Sequence, residues 1–428
     1  MMFILECLSR GRNFLSSRPT QKPTRYLFTS LLAIAVAAGS PVVLAGWTDP
    51  LNTPAVASDK AHQNLLLDIT YAGDRLVAVG AYGHIIYSDN AGQSWQQGKV
   101  PVNVTLTSVT FVDEQYGWAV GHDGIILASH DRGMSWIKQF DGFAANQALE
   151  RAAKKQLQQL ELQLQQLEAV AAGDDQRQED LEYEIEDALM ALDDARYDVA
   201  QGSTKPFLDV VFLSRHDGFA IGAYGMLFRT RDGGANWQSA LAGFPNPDRM
   251  HLSQFHVLKS GGWLITGEMG LVAFSADYGQ SWQRLELPYD GSLFGAVESG
   301  DEWLVFGLRG HVFASSDQGT HWREIQTGSE QSLLAAAGAV SVGSVSAGSE
   351  NKRDKSAGAH TVALVGNAGT LLTMTRDTPE SAPLIQVLTL QGRSGLAAVV
   401  PVDQGWLVVG EAGARVVMHS EFKQTAGE

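Results

Sequence analysis

One sixteen-residue pattern recurs along this chain, and its spacing limits the fold more than any other feature. The first copy, residues 80–95, reads GAYGHIIYSDNAGQSW. The frame returns at 121–136, 222–237, 267–282 and 307–322, and its front half alone returns at 366–377 and 410–420. Successive front glycines stand at 80, 121, 222, 267, 307, 366 and 410, giving gaps of 41, 101, 45, 40, 59 and 44 residues. The period is therefore near 41 residues, and the two long gaps carry insertions of roughly sixty and twenty residues. Each unit reads as four short strands separated by glycine-rich turns, in the first unit near residues 65–71, 76–79, 84–88 and 95–99. Four strands per repeat of this length make a β-propeller blade, so the expected fold is all-β, a seven-bladed propeller.

The turns supply the chemistry that such blades need. In Gly80-Ala81-Tyr82-Gly83 the first glycine ends a strand and the second is placed where the turn requires positive φ. In the second turn, the Asp131 carboxylate can accept backbone amides across the loop while Gly133 supplies a left-handed residue. Trp136 then opens the fourth strand as an apolar anchor. This is the Asp-box pattern. Asp232, Asp277 and Asp317 hold the same place in other copies, and Asn90 holds it in the first. A residue repeated at five rotations of a ring cannot converge on one site, so these five read as hairpin staples.

On these repeats the chain resembles the propeller family of the photosystem II assembly and stability factor of chloroplasts and cyanobacteria, with its non-photosynthetic bacterial relatives. The resemblance covers all seven units, about residues 64–420 apart from the insertions. It implies a non-catalytic propeller that binds protein and helps to assemble or stabilise a membrane complex. Some bacterial relatives resemble envelope accessories of resistance-nodulation-division exporters, which makes such an exporter a candidate partner. The family's arginine-lined binding surface has no residue-by-residue counterpart here, and the helical insertion departs from the family pattern.

That insertion, residues 143–202, changes period from two to between three and four. Leu149, Ala153, Leu157, Leu160, Leu164, Leu167 and Ala171 form one apolar stripe; Leu181, Ile185, Ala188, Leu192, Ala195 and Val199 form another. With Gly173-Asp174-Asp175 between them, the two helices are expected to fold back as an antiparallel coiled-coil hairpin between blades two and three. The second helix is strongly acidic, and Glu182, Glu186, Asp187, Asp193 and Asp194 are its candidate partner-binding residues. Residues 338–360 are rich in Gly, Ser and Ala and read as a flexible loop. Blades one and two then occupy 46–142, blades three to seven occupy 203–420, and 421–428 form a tail. The seventh unit lacks a fourth strand, and the segment between Trp47 and Ala57 is expected to supply it and clasp the chain ends together.

Residues 1–45 read as a signal peptide: Arg10, Arg12, Arg18, Lys22 and Arg25 precede an apolar run at 26–38, and Val43-Leu44-Ala45 offers a small-residue cleavage pattern. The expected location is periplasmic after export, with an uncleaved N-terminal membrane anchor as the alternative. Without that segment 26 basic and 46 acidic residues remain, a net charge of −20. Such a surface excludes nucleic acid and anionic lipid as partners, since both require clustered Lys and Arg.

Topology puts the hairpin on the face that carries the Gly-x-x-Gly tips, where exposed side chains on a rigid rim suit protein contact. Tyr82, His122, Asp123, Tyr224, Glu268, Met269 and Arg309 are the candidate binding residues of that ring, with Tyr82, Tyr224, Met269 and Arg309 foremost. The pair His122-Asp123 lacks a second ligand at metal-binding spacing, so neither metal nor cofactor is expected. The rival reading, a sialidase-like glycoside hydrolase, needs a Tyr nucleophile with a Glu partner, an acid/base and three arginines for the substrate carboxylate. Arg309 is the one arginine among the seven tips, and no Arg-Ile-Pro signature occurs. No catalytic residue is assigned.

Overall fold

A computed structural model of the chain describes residues 48–169, 175–340, 360–376 and 381–424. It is mostly β: six antiparallel sheets of four strands and a seventh of three, each in sequential strand order. The inner strands are Leu66–Ala72, Leu106–Phe111, Phe207–Phe212, Leu252–Val257, Leu293–Ser299, Leu333–Val340 and Leu396–Val402. Each lies beside the inner strand of the next sheet, and the seventh returns to the first, so the sheets close into a seven-bladed ring. Second strands such as Arg75–Gly80 and Gly117–Gly121 are buried along their whole length because a neighbouring blade covers each face. That is why they read as unbroken apolar runs rather than alternating ones.

The front glycine of every repeat is required by a close backbone approach. A Cβ on Gly80 would stand 2.1 Å from the Leu65 carbonyl oxygen, and one on Gly366 would stand 1.9 Å from that of Ser332. The register slips by one residue here, between Leu66 and Asp68, and the Ala81 amide donates to the Leu65 carbonyl at 3.0 Å. The same bond recurs in all seven blades, down to Glu411 N–H to the Gly395 carbonyl at 3.0 Å. Polar side chains then tie blade to blade. Asp68 accepts from the Val109 amide at 2.8 Å, Asp209 from Phe255 at 2.8 Å and Gln254 from Ala296 at 2.7 Å.

Chain closure differs from the expected strand exchange. The segment around Pro50–Asn52 is a helical turn capped by the Asp49 side chain, and Leu51 is buried among Val100, Val102 and Val104. Ala55 N–H donates to the Val100 carbonyl at 3.1 Å, so this stretch lies against blades one and two, not blade seven. Two prolines, Pro50 and Pro54, make it a poor strand. The ring closes instead through side chains: Tyr71 donates to the Pro401 carbonyl at 2.6 Å, and Ala61 packs with Ala414 and Val416. Residues 421–424, expected as tail, belong to the helix His419–Gln424, which buries Phe422 beside Leu388 and Trp406.

The inserted helices are Gly142–Ala169 and Asp175–Gln201. Asp141 caps the first by accepting from the Ala144 amide at 3.2 Å, and Gly202 ends the second at φ +85°. Twenty-eight residues reach about 42 Å. The second expected loop is narrower than its composition suggests, because Gly338, Ala339 and Val340 pair with Val362, Thr361 and His360 as strand. The leader at 1–45, residues 341–359 of that loop and Gly173-Asp174 of the hairpin turn lie outside the described residues.

Candidate functional site

Tip geometry follows from two consecutive left-handed residues, where the sequence pattern indicated one. Tyr82, Asp123, Tyr224, Met269, Arg309 and Ala368 all adopt φ between 53° and 60°, each just before the second glycine. This conformation costs a non-glycine residue roughly 1–2 kcal/mol. Tyr82, Tyr224 and Met269 are 63%, 48% and 54% exposed, and Arg309 is exposed too. His122 and Asp123 are half-buried. Burial lowers the His122 pKa; burial and then the Asp49 charge raise that of Asp123.

The tips of blades two and three are welded to the root of the helical arm. Ser203 Oγ donates to the Asp123 carbonyl, and a Cβ on Gly124 would stand 2.7 Å from Gly142 Cα. Buried Asn146 bridges the two helices, donating to the Asp198 and Gly202 carbonyls at 2.9 and 2.8 Å. Ala145 and Ala148 pack with Val120, Phe207 and Phe228 in the core between the blades. Lys205 pairs with Asp198 and lies 5.3 Å from the centre of the Tyr224 ring. Arg249, from the linker between blades three and four, reaches Asp194 at 3.2 Å. Further out the arm has its own core of Leu157, Leu160, Leu181, Ala188 and Leu192.

Glu268 is half-buried, accepting from the His251 amide at 3.0 Å, while the His251 ring meets Tyr224 edge-on at 4.9 Å. Beside Met269 an open concavity of about 460 Å³ is lined by Arg284, Leu287, Tyr289 and Asp290. Tyr82 instead packs at the first tip against buried His84. The ring residues therefore fall into separate groups on different blades. Of the arginines near these tips, Arg249 is paired with Asp194, and Arg284 donates to the Met269 carbonyl at 3.2 Å. No group of three or more His, Cys, Asp or Glu able to hold a metal occurs among the described residues.

At the other turn of each complete repeat the acceptor side chain closes the hairpin. Asn90, Asp131, Asp232, Asp277 and Asp317 accept the amide four residues on at 2.8–2.9 Å. The hydroxyl two residues earlier donates to the same carboxylate or carboxamide, as Ser129 does to Asp131 at 2.9 Å. Hydrogen bonds, led by those from Ser281 and from His321, hold the Asp277 and Asp317 carboxyls down at about 2.

One polar cluster lies where residue patterns had pointed to none. Asp68 and Asp209 are half-buried residues on the inner strands of blades one and three, their carboxylates drawn in from solvent and bridged by Ser108 of blade two, which donates to Asp209 at 2.7 Å. Burial is the main cause that raises Asp68 to about 7 and Asp209 to about 6. The signal in the sequence is a single acid inside each apolar run, LLLDITY and FLDVVF.

A closed seven-bladed ring with an arm rooted on its tip face defines the protein as a β-propeller. Residues 193–375 match the family described as photosynthesis system II assembly factor YCF48. An 80-residue stretch is 38% identical to the photosystem II assembly lipoprotein Ycf48 of Synechococcus sp. (strain CC9902), covering 19% of this chain and 24% of that relative. A solved structure of YCF48 bound to D1 peptide aligns over 83% of this chain and 94% of its own, with 16% identity and TM-score 0.52. YCF48 from Cyanidioschyzon merolae aligns over 86% and 99%, with 12% identity and TM-score 0.53. The solved structures carry the fold, a β-propeller, and residues 193–375 are similar to that assembly-factor family over less than half of this chain. Among the described residues no helix is long and apolar enough to cross a membrane.

Proposed function

We propose that this chain is a non-catalytic, exported propeller that binds protein and assists the assembly or stability of a membrane or envelope complex. The observation that carries this reading is the root of the arm. Buried Asn146, Ala145 and Ala148 fix it to the tips of blades two and three, so arm and rim form one surface. A sixty-residue insertion tied down in this way adds reach outside the ring, for which a client is the use. The peptide-bound relative supports a polypeptide ligand for this fold. In this reading Tyr82, Tyr224, Met269 and Arg309 contact the client, with His122, Asp123 and Glu268 shaping the rim. Asn90, Asp131, Asp232, Asp277 and Asp317 serve structure on the opposite turns. The basic-then-apolar leader supports a periplasmic location, and a resistance-nodulation-division exporter is the client we favour.

Replacing residues 153–192 by a short Gly/Ser turn keeps the packed root and removes the reach. The expected result is a folded ring that loses partners in an envelope pull-down; recovery of every partner would overturn the arm's role. Turnover of a fluorogenic sialoside that is abolished by Tyr224→Phe would overturn the non-catalytic part.

A further inference from the structure

The returning helix contains an internal heptad repeat that serves two faces. Residues 179–199 divide into EDLEYEI, EDALMAL and DDARYDV. The third position of each heptad faces inward: Leu181, Ala188 and Ala195 are buried, as is Leu192 at the seventh position of the second heptad. The fifth position is 200° further round a helix of 3.6 residues per turn, on the side away from the arm's own core. Tyr183, Met190 and Tyr197 occupy it and are 62%, 61% and 58% exposed. They form a straight row about 21 Å long. The first and second positions flank that row on its two sides, and all six residues there are acidic: Glu179, Asp180, Glu186, Asp187, Asp193 and Asp194.

A two-helix hairpin needs one apolar face per helix, and the inward stripe already meets that need. The outward row therefore has a different use. We propose that Tyr183, Met190 and Tyr197 form a docking seam for a basic amphipathic helix of a partner protein. This deepens, and rests on, the protein-binding reading of the arm. Heptad spacing fits a helical occupant, because knobs of a partner helix recur at the same interval. Charge selects its flanks: the acidic pairs sit where the flanking positions of a coiled coil lie, and call for Lys or Arg opposite. The two tyrosine rings add faces on which such cations can rest. A second copy of this chain is disfavoured, since its seam would set carboxylates against carboxylates. Near the root, cations of this chain already engage the acids: Arg196 of the arm engages Asp193 and Arg249 of the ring engages Asp194, both at 3.2 Å. No ion pair among the described residues involves Glu179, Glu186 or Asp187, so the outer two-thirds of the seam keeps its charge for a partner.

The test titrates the full-length protein with a fluorescent synthetic helix of about three heptads, apolar at its seam and lysine at its flanks. That peptide should bind at least about tenfold more tightly than a glutamate-flanked version or a scrambled peptide of the same composition. Combining Tyr183→Ala, Met190→Ala and Tyr197→Ala should weaken it about tenfold or more with the circular dichroism unchanged. Should that variant misfold, Glu179→Lys with Glu186→Lys and Asp187→Lys gives the second readout, a switch of preference to the glutamate-flanked peptide. Absence of binding, equal binding of the scrambled peptide, indifference to both variants, or self-association abolished by the alanine changes would each overturn the seam. If the truncated arm loses envelope partners while the seam variants keep them, the arm's role stands and the seam falls.

Discussion

The ring and the arm are both built from repeats, but they direct those repeats oppositely. In the ring the periodic residues are spent inward: front glycines admit a neighbouring carbonyl, and the Asp-box acceptors bond amides of their own hairpin. In the arm only part of the period is spent inward, and every seventh residue of the returning helix is a large side chain left in solvent. Periodicity by itself thus does not separate scaffold from contact surface; the burial of each repeated position does. The sharpest way to break the comparison is to delete one core side chain in each region. Trp118 is 1% exposed and stacks on Phe212 at 3.5 Å, so Trp118→Ala should cost the ring about 3–5 kcal/mol. Leu181→Ala should cost about 2–4 kcal/mol, but confined to the arm, whose core is separate from those of the blades. Helicity would fall while the ring's near-ultraviolet dichroism and main denaturation midpoint hold; a single shared transition would show the two regions to be one cooperative unit.

Within the ring, the staples should matter less than the core. Asp131→Ala leaves the Ser135 amide and the Ser129 and Ser135 hydroxyls without their acceptor, an expected loss of about 2 kcal/mol by urea denaturation. If Asp131→Ala also abolished partner capture with the fold intact, the opposite turns would be contact surface and the division between the two turns would fail.

Much of this division was legible in the residues, and what was not has physical reasons. Blade count, strand order and the arm follow from the glycine spacing and the change of period. The chain ends did not: a missing fourth strand invites an exchange strand, yet Asp49 and Pro50 start a helical turn, and Leu51 finds its apolar neighbours two blades away. Left-handed backbone at Tyr82, Met269 and Arg309 was hidden because such residues carry no preference for it; the fold imposes it. Asp68 and Asp209 looked like ordinary strand residues until the closed ring set Ser108 between them. The row Tyr183-Met190-Tyr197 was masked by the acids around it, and only exposure sets it apart from the inward stripe.

The carboxylates of that ring cluster give a smaller, pH-dependent effect. A raised folded pKa means that the folded state holds protons the unfolded chain has already lost, so stability falls as pH climbs through the folded value. Half-buried histidines oppose this, since His122 and His256 are lowered by loss of solvent and destabilise the fold as pH falls. Unfolded imidazoles still lose protons just above 6.5, His84 included, so the part due to Asp68, at about 7, is the difference between the parent and Asp68→Asn. Between pH 6.5 and 8 the unfolding free energy of the parent should fall relative to that of Asp68→Asn by about 1 kcal/mol, even if the variant is less stable throughout.

The smallest expected effect is the one that separates the two faces of a single helix. Leu181 and Tyr183 are two residues apart, but the first is 2% exposed and the second 62%. Removing the buried side chain opens a cavity; removing the exposed ring opens none and takes a large apolar surface out of water. Tyr183→Ser should therefore leave the arm's melting transition within about 0.5 kcal/mol of the parent and raise solubility if it changes it at all. A loss approaching that of Leu181→Ala would mean that Tyr183 already packs within the chain, and the outward row would then belong to the arm's own core rather than to a partner.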